Sequence, residues 1–227
     1  MTSPRLFTQV SQNGYHPTLT TVIFNWASQC SLHLLFTLPP LAFVDPYELE
    51  TSYADQYAFH LIGHRGLELP VMAVDQVSSH LLLDMKIVED ARTTLEIPLP
   101  IHFRYGELSV SDVYEQVDIP WPKGFAACPS LNTSHYDPSH EGTTVHLPDE
   151  FQTVFSDHIS LAPIGSLNGT RHETLRVPVG NPTHLTHVEV GTSFTVLACF
   201  LYLCWISWQT KLRLDEGDST LRFRKSE

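Results

Sequence analysis

A mainly β fold, with a β-sandwich-like body followed by one C-terminal transmembrane helix, is predicted by three observations. Sixteen prolines against eleven glycines punctuate many short apolar runs. Proline removes a helix donor and clashes inside a helix, so strands joined by turns fit these runs better than long helices do. Several runs alternate apolar and polar side chains with the period of two that lays one face of a strand on a core. Near the C-terminus, Val190–Trp208 forms nineteen residues without a formal charge. A chain of 227 residues has length for both a core and an anchor. The expected organisation is a body over 1–189, a span over 190–208 and a short tail over 209–227.

The first strand expected is Leu19–Trp26, LTTVIFNW, rich in β-branched and aromatic residues and preceded by the turn signal His16-Pro17. Ser31–Leu38 follows. Leu32, Leu34, Phe36 and Leu38 share one face, His33 and Thr37 the other, and Pro39-Pro40 removes two donors and ends the pairing. The clearest alternation is Leu95–Tyr105, with Leu95, Ile97, Leu99, Ile101, Phe103 and Tyr105 on one face. Glu96, Pro98, Pro100, His102 and Arg104 occupy the other, where His102 and Arg104 read as a solvated pair or a contact site. Two prolines confine the first half to an edge or a bulge and leave His102–Tyr105 best able to pair. Shorter strands are expected at Ala58–Ile62, His80–Val88, Thr143–Leu147, His158–Leu161 and Thr174–Val179. Segment 106–150 is polar and interrupted by Pro120, Pro122, Pro129, Pro138 and Pro148, and it reads as a long surface loop.

As a helix the uncharged stretch is about 28 Å long, close to the hydrocarbon thickness of a bilayer. Tyr202, Trp205 and Trp208 gather at one end as interfacial aromatics do, and Lys211 and Arg213 follow directly. Residues 1–189 hold eight basic and 21 acidic side chains, against five and four in 190–227. The positive-inside rule therefore puts the C-terminus in the cytosol and the body in the lumen. Two glycosylation sequons agree, at Asn132 and Asn168, while Asn181-Pro182-Thr183 is excluded by its proline. The first thirty residues show no basic region followed by an apolar stretch and a small-residue cleavage site, so no ordinary signal peptide is visible. Two alternatives stay open: insertion after synthesis with the body in the cytosol, or a start upstream of Met1. Inside the span Gly191, Thr195 and Cys199 fall at i, i+4 and i+8, a small-residue strip against which a second helix can pack.

The composition excludes several functions. Thirteen Lys and Arg against 25 Asp and Glu leave no basic surface for phosphate, so no nucleic-acid partner is expected. No Gly-rich phosphate loop, nucleophile elbow or Cys-x-x-Cys is present. Histidine pairs at His60 and His64, His135 and His140, and His184 and His187 do not converge on one site, and no metal or other cofactor is expected. Acid pairs at Glu48 and Glu50, or Glu89 and Asp90, need no catalytic explanation in so acidic a body. Cys199 and Cys204 lie in the span, leaving Cys30 and Cys128 either to form one disulfide or to stand apart as thiols.

Four segments resemble the PIG-X family, known in yeast under a Pbn name, in the same order along the chain: NGYHPTLTTVI from Asn13, LHLLFTLPPLAFVDPYELE over Leu32–Glu50, LPIHFRYGELS over Leu99–Ser109, and RVPVG over Arg176–Gly180. The second and third are the specific ones. The resemblance implies a luminal domain on one C-terminal helix in the endoplasmic reticulum membrane. It further implies a non-catalytic subunit that keeps a multispanning PIG-M-type enzyme stable, the first mannosyltransferase of glycosylphosphatidylinositol (GPI) assembly. Within these motifs Asp45-Pro46 reads as a turn starter, Pro46 fixing φ and the Asp45 carboxylate accepting backbone donors. Asp45, Pro46, Tyr47, Glu48, His102, Arg104 and Tyr105 are the family-motif and partner-contact candidates. The rival functions are a tail-anchored adaptor with a cytosolic body, marked by absent glycans, and a luminal hydrolase, marked by a cleft with converging acids.

Overall fold

The structure, a computed structural model, describes residues 3–11, 14–26, 30–64, 66–67, 69–86, 94–111, 113–129, 145–155 and 158–224, with side chains of the last helix described as far as 214. The chain divides into two compact units, Met1–Gly180 and Asn181–Glu227.

The first unit is built from strands β1 (Arg5–Ser11), β2 (Thr18–Phe24), β3 (Ser31–Leu38), β4 (Ala42–Phe43), β5 (Tyr57–Ile62), β6 (Ser79–Met85), β7 (Thr94–Pro100), β8 (His102–Phe103), β9 (Tyr114–Pro120), β10 (Lys123–Pro129), β11 (Ile159–Pro163), β12 (Gly165–Ser166) and β13 (His172–Pro178). Two short helices, α1 (Pro46–Ser52) and α2 (Asp149–Gln152), lie between them. The strands form sheets in the orders β12-β1-β2-β7 and β11-β10-β3-β6-β5, with two-stranded ladders β13-β9 and β4-β8. Leu6, Leu19, Ile23 and Ile97 of the first sheet share one core with Leu32, Leu34, Phe36, Leu81 and Leu83 of the second and with Val117, Ile119, Leu175 and Val177 of the β13-β9 ladder. Burying each such side chain contributes about 1.5–3 kcal/mol, so this shared interior is what holds the sheets together. Gly124 marks one close approach, since a Cβ there would stand 2.7 Å from Leu6 Cδ2.

β3 occupies the residues its alternation predicts, but its second face is covered too. Leu35 joins a smaller core with Leu82, Phe125 and Phe151, the last from α2. There His33, 5 % exposed, packs against the rings of Phe125 and Phe155 at centroid distances of 5.3 and 5.0 Å, and the two phenylalanines touch each other at 5.8 Å. Its Nε2 is 2.8 Å from Ser31 Oγ, and burial lowers its pKa.

β7 is an edge strand, as its prolines require. It pairs with β2 along its whole length, Pro98 opposite Thr20 and Pro100 opposite Thr18. The Pro98 carbonyl accepts from the Tyr57 hydroxyl at 3.1 Å, so this position turns its polar group away from β2 and its missing N–H leaves that ladder intact. The expectation that His102–Tyr105 pairs best is corrected. Only His102 and Phe103 enter a ladder, with β4, and Arg104 N then donates to Leu41 O at 2.8 Å.

The reading of 106–150 as a long surface loop is also corrected. β9 and β10 lie within it, pairing with β13 and with β3 and β11. Val117 and Ile119 alternate with polar neighbours and point inward, and Trp121-Pro122 is the break between two strands. The strand expected at Thr143–Leu147 falls partly outside the described residues, and 145–147 form none. β1 had no counterpart in the sequence reading.

Cys30 and Cys128 are joined, Sγ–Sγ 1.99 Å and Cα–Cα 4.6 Å. They continue the antiparallel ladder of β3 and β10 by one register step beyond Ser31 and Ala127, which brings two residues 98 apart in sequence side by side.

The second unit opens with a 3-10 turn, Pro182–His184, and continues as helix α3, Leu185–Arg224. Over Pro182–Leu214 it is long and apolar enough to cross a membrane, with mean hydropathy 1.7 in a window of which nothing is buried. Gly191, Thr195 and Cys199 lie on it, and Thr195 Oγ1 donates to the Gly191 carbonyl at 2.9 Å, which satisfies the hydroxyl within the helix.

Candidate functional site

Side chains from three of the four resemblance segments meet at one corner of the body, and a backbone carbonyl of the fourth closes it. Asp45 caps α1, its carboxylate accepting from Tyr47 N at 2.9 Å, with Pro46 in the first turn where a missing N–H costs nothing. The expected turn starter is thus a helix N-terminus, and α1 seats Leu49 in the core while leaving Tyr47 72 % exposed. In the same first turn, Glu48 Oε2 meets His102 Nε2 at 2.7 Å. His102 Nδ1 in turn lies 2.7 Å from Nδ1 of His16. A neutral His102 that donates Nε2–H to Glu48 keeps Nδ1 as an acceptor, so the proton between the rings belongs to His16. The three groups form a hydrogen-bonded chain that ties β2's leading turn, α1 and β8 together.

Arg104 corrects the expectation of a solvated face. It is 4 % exposed, with its guanidinium carbon 4.5 Å from the centroid of the Phe43 ring. Its Nη1 donates to the carbonyls of Gly66 and Leu69. A planar cation that can stack on a ring while bonding carbonyls suits this place, and burial lowers its pKa. Phe43 also stacks on His102, at 5.3 Å. Tyr105 stays 72 % exposed and packs edge-on against Tyr15 at 5.6 Å. The Tyr15 hydroxyl donates to the Pro178 carbonyl at 2.6 Å, and its pKa is raised by burial and then by Tyr105.

The seven candidates therefore divide. Glu48 and His102 touch, Arg104 is structural, Asp45 and Pro46 build α1, and Tyr47 and Tyr105 face outward. Tyr15, His16, Phe43 and Pro178 were missed as individual residues, although each stands in or beside a segment that carries the resemblance. Their signal was the segments' shared origin, not any spacing.

Asn168 lies at the edge of β1, where Thr8 N donates to Oδ1 at 2.8 Å and Nδ2 donates to Thr8 O at 2.6 Å. The amide thus continues strand pairing beyond β12. Asn132 lies outside the described residues. Among the described residues no group of three or more His, Cys, Asp or Glu is placed to hold a metal. His64 Nε2 instead accepts from Asp75 N at 2.8 Å, and His60 sits on β5. His135 and His140 lie outside the described residues, as do Glu89 and Asp90.

A family model described as PIG-X / PBN1 matches residues 12–208, which takes in all four segments and the uncharged stretch of α3. The chain belongs to the PIG-X/PBN1 family. It is 27 % identical to a protein named pbn1 of Emericella nidulans over 223 residues, 85 % of this chain and 41 % of that protein. With protein pbn1 of Neurospora crassa the identity is 26 % over 209 residues, 85 % and 40 % of the two chains. With that of Aspergillus oryzae it is 31 % over 137 residues, 52 % and 25 %. The chain thus spans less than half the length of these relatives.

Proposed function

We propose that this PIG-X/PBN1 chain is a non-catalytic subunit of GPI mannosyltransferase I in the endoplasmic reticulum, binding and stabilising a multispanning PIG-M-type catalytic subunit. The body lies in the lumen, α3 crosses the membrane and the tail lies in the cytosol. The observation that carries the reading is the meeting of the resemblance segments at one corner. There Glu48, His102 and His16 hydrogen-bond in a chain and Arg104 Nη1 bonds the carbonyls of Gly66 and Leu69, which firms the surface from which Tyr47 projects. A tyrosine held on a firm base offers large contact area at low entropic cost, the chemistry of an interface anchor. The Cys30–Cys128 bond supports the luminal placement, because such bonds persist in oxidising compartments. The strip of Gly191, Thr195 and Cys199 supports a helical partner within the bilayer.

The test is co-purification of the catalytic subunit with full-length wild type and with Tyr47→Ala, an exposed substitution that leaves the core untouched. Recovery should fall at least tenfold in the variant at equal bait. Undiminished recovery would remove Tyr47 from the interface, and absence of the enzyme from the wild-type eluate would remove the reading itself.

A further inference from the structure

Between Phe103 at the end of β8 and Tyr114 at the start of β9, the chain carries aliphatic side chains that the corner does not use. Leu108, Val110 and Val113 are 62, 67 and 67 % exposed, and Tyr105 and Tyr114 flank them at 72 and 51 %. Single exposed apolar residues are ordinary, but a run of them on one segment marks a surface that meets something other than water.

Its place in the fold says what that is. Ser109 N donates to Gly180 O at 3.0 Å and Val179 N to Val113 O at 3.0 Å. Tyr114 is the register partner of Pro178. The segment is therefore fastened to the last residues of the body, where the chain leaves for the apolar helix. Only Asn181–Glu189 separate Gly180 from the uncharged stretch, about 15 Å at helical rise and at most about 35 Å if extended. This end of the body is tethered within reach of the bilayer surface. The side chains suit that surface, with aliphatic groups between tyrosines, the residue type that gathers at the lipid–water boundary. From Tyr105 to Pro122 there is no Lys or Arg, while Glu107, Asp112, Glu115 and Asp118 are present, so an anionic lipid surface would repel the segment.

We propose that segment 105–114 rests in the interfacial region of the same bilayer that α3 crosses, with zwitterionic phospholipid as its ligand, and so holds the corner of the body at a set height. The inference rests on the spanning reading of α3. The test reconstitutes the full chain, with and without the catalytic subunit, in phosphatidylcholine vesicles whose acyl chains carry a photoactivatable diazirine near the glycerol. After irradiation and trypsin, peptides 105–123 and 177–211 are examined for lipid adducts. Both should be labelled, with or without the enzyme. Leu108→Asp/Val110→Asp/Val113→Asp should lower labelling of 105–123 several-fold and leave 177–211 unchanged. Labelling of 177–211 alone would overturn the inference and leave the span standing, while labelling of neither would overturn both. Adducts on 105–123 that give way to protein cross-links when the enzyme is present would assign the segment to the enzyme and overturn the lipid proposal.

Discussion

Glu48 and His102, 54 residues apart in sequence, are joined at 2.7 Å, and His102 passes the connection on to His16. The bond links α1 to β8 across the corner from which Tyr47 projects. Its energetic value is modest because both side chains are partly in water, at 36 and 19 % exposure. Glu48→Ala should cost about 1 kcal/mol in denaturant unfolding, whereas Glu48→Gln, which still accepts from Nε2–H, should cost less than half of that. Equal losses in the two variants would show that the carboxylate's charge matters more than the latch it forms.

Arg104 makes a stronger demand. Arg104→Met keeps much of the volume over Phe43 but strands the carbonyls of Gly66 and Leu69, a loss of roughly 1–3 kcal/mol for buried acceptors. Arg104→Lys should recover only part of it, since a compact ammonium cannot both stack on the ring and span the carbonyls. Urea midpoints of the three proteins give the order, and a lysine variant as stable as wild type would contradict the stacking role.

Burial against Phe125 and Phe155 holds His33 below its ordinary value near 6.5, with Asp84 opposing and His60 reinforcing the shift. A base depressed in the folded state binds more protons when unfolded, so stability rises with pH across that window. This contribution is complete above about pH 6.5 and is lost as pH falls from there toward the folded value. The thermal midpoint should drop between pH 7 and pH 5.5, and His33→Gln should lower the midpoint at pH 7 while shrinking that drop. An unchanged drop in the variant would place the acid sensitivity elsewhere.

Orientation is read from glycans. Endoglycosidase should shift the full-length chain, and Asn132→Gln/Asn168→Gln should abolish the shift. A glycan on Asn168 leaves one Nδ2–H for Thr8 O, whereas Asn168→Gln displaces the amide from the β1 edge and should cost about 1 kcal/mol on its own. A chain that does not shift, and whose body is digested by protease outside sealed microsomes, would be facing the cytosol.

The sequence was most legible where one physical cause dominated. Leu32, Leu34, Phe36 and Leu38 recur with the strand period, and β3 follows them. Pro98 and Pro100 announce an edge because a missing donor has nowhere else to go. Between Tyr114 and Pro129 the prolines suggest a loop, yet Pro120 and Pro122 bracket a turn and Val117 and Ile119 point inward. Alternation puts Arg104 on the polar face because a charged residue ordinarily seeks water. Its burial depends on Phe43, Gly66 and Leu69, which only the tertiary fold assembles. The pairing of His16 with His102 was hidden for the same reason, since 86 residues separate them.

The central claim is that this chain acts on the amount of an enzyme and not on its chemistry. The measurement is the abundance of the PIG-M-type catalytic subunit, by pulse-chase, alongside mannose transfer per molecule of that subunit, in cells carrying wild type or Tyr47→Ala. The account predicts a shortened lifetime and several-fold lower abundance, with transfer per surviving molecule unchanged. Normal abundance with reduced transfer per molecule would contradict it and place this chain in the reaction itself.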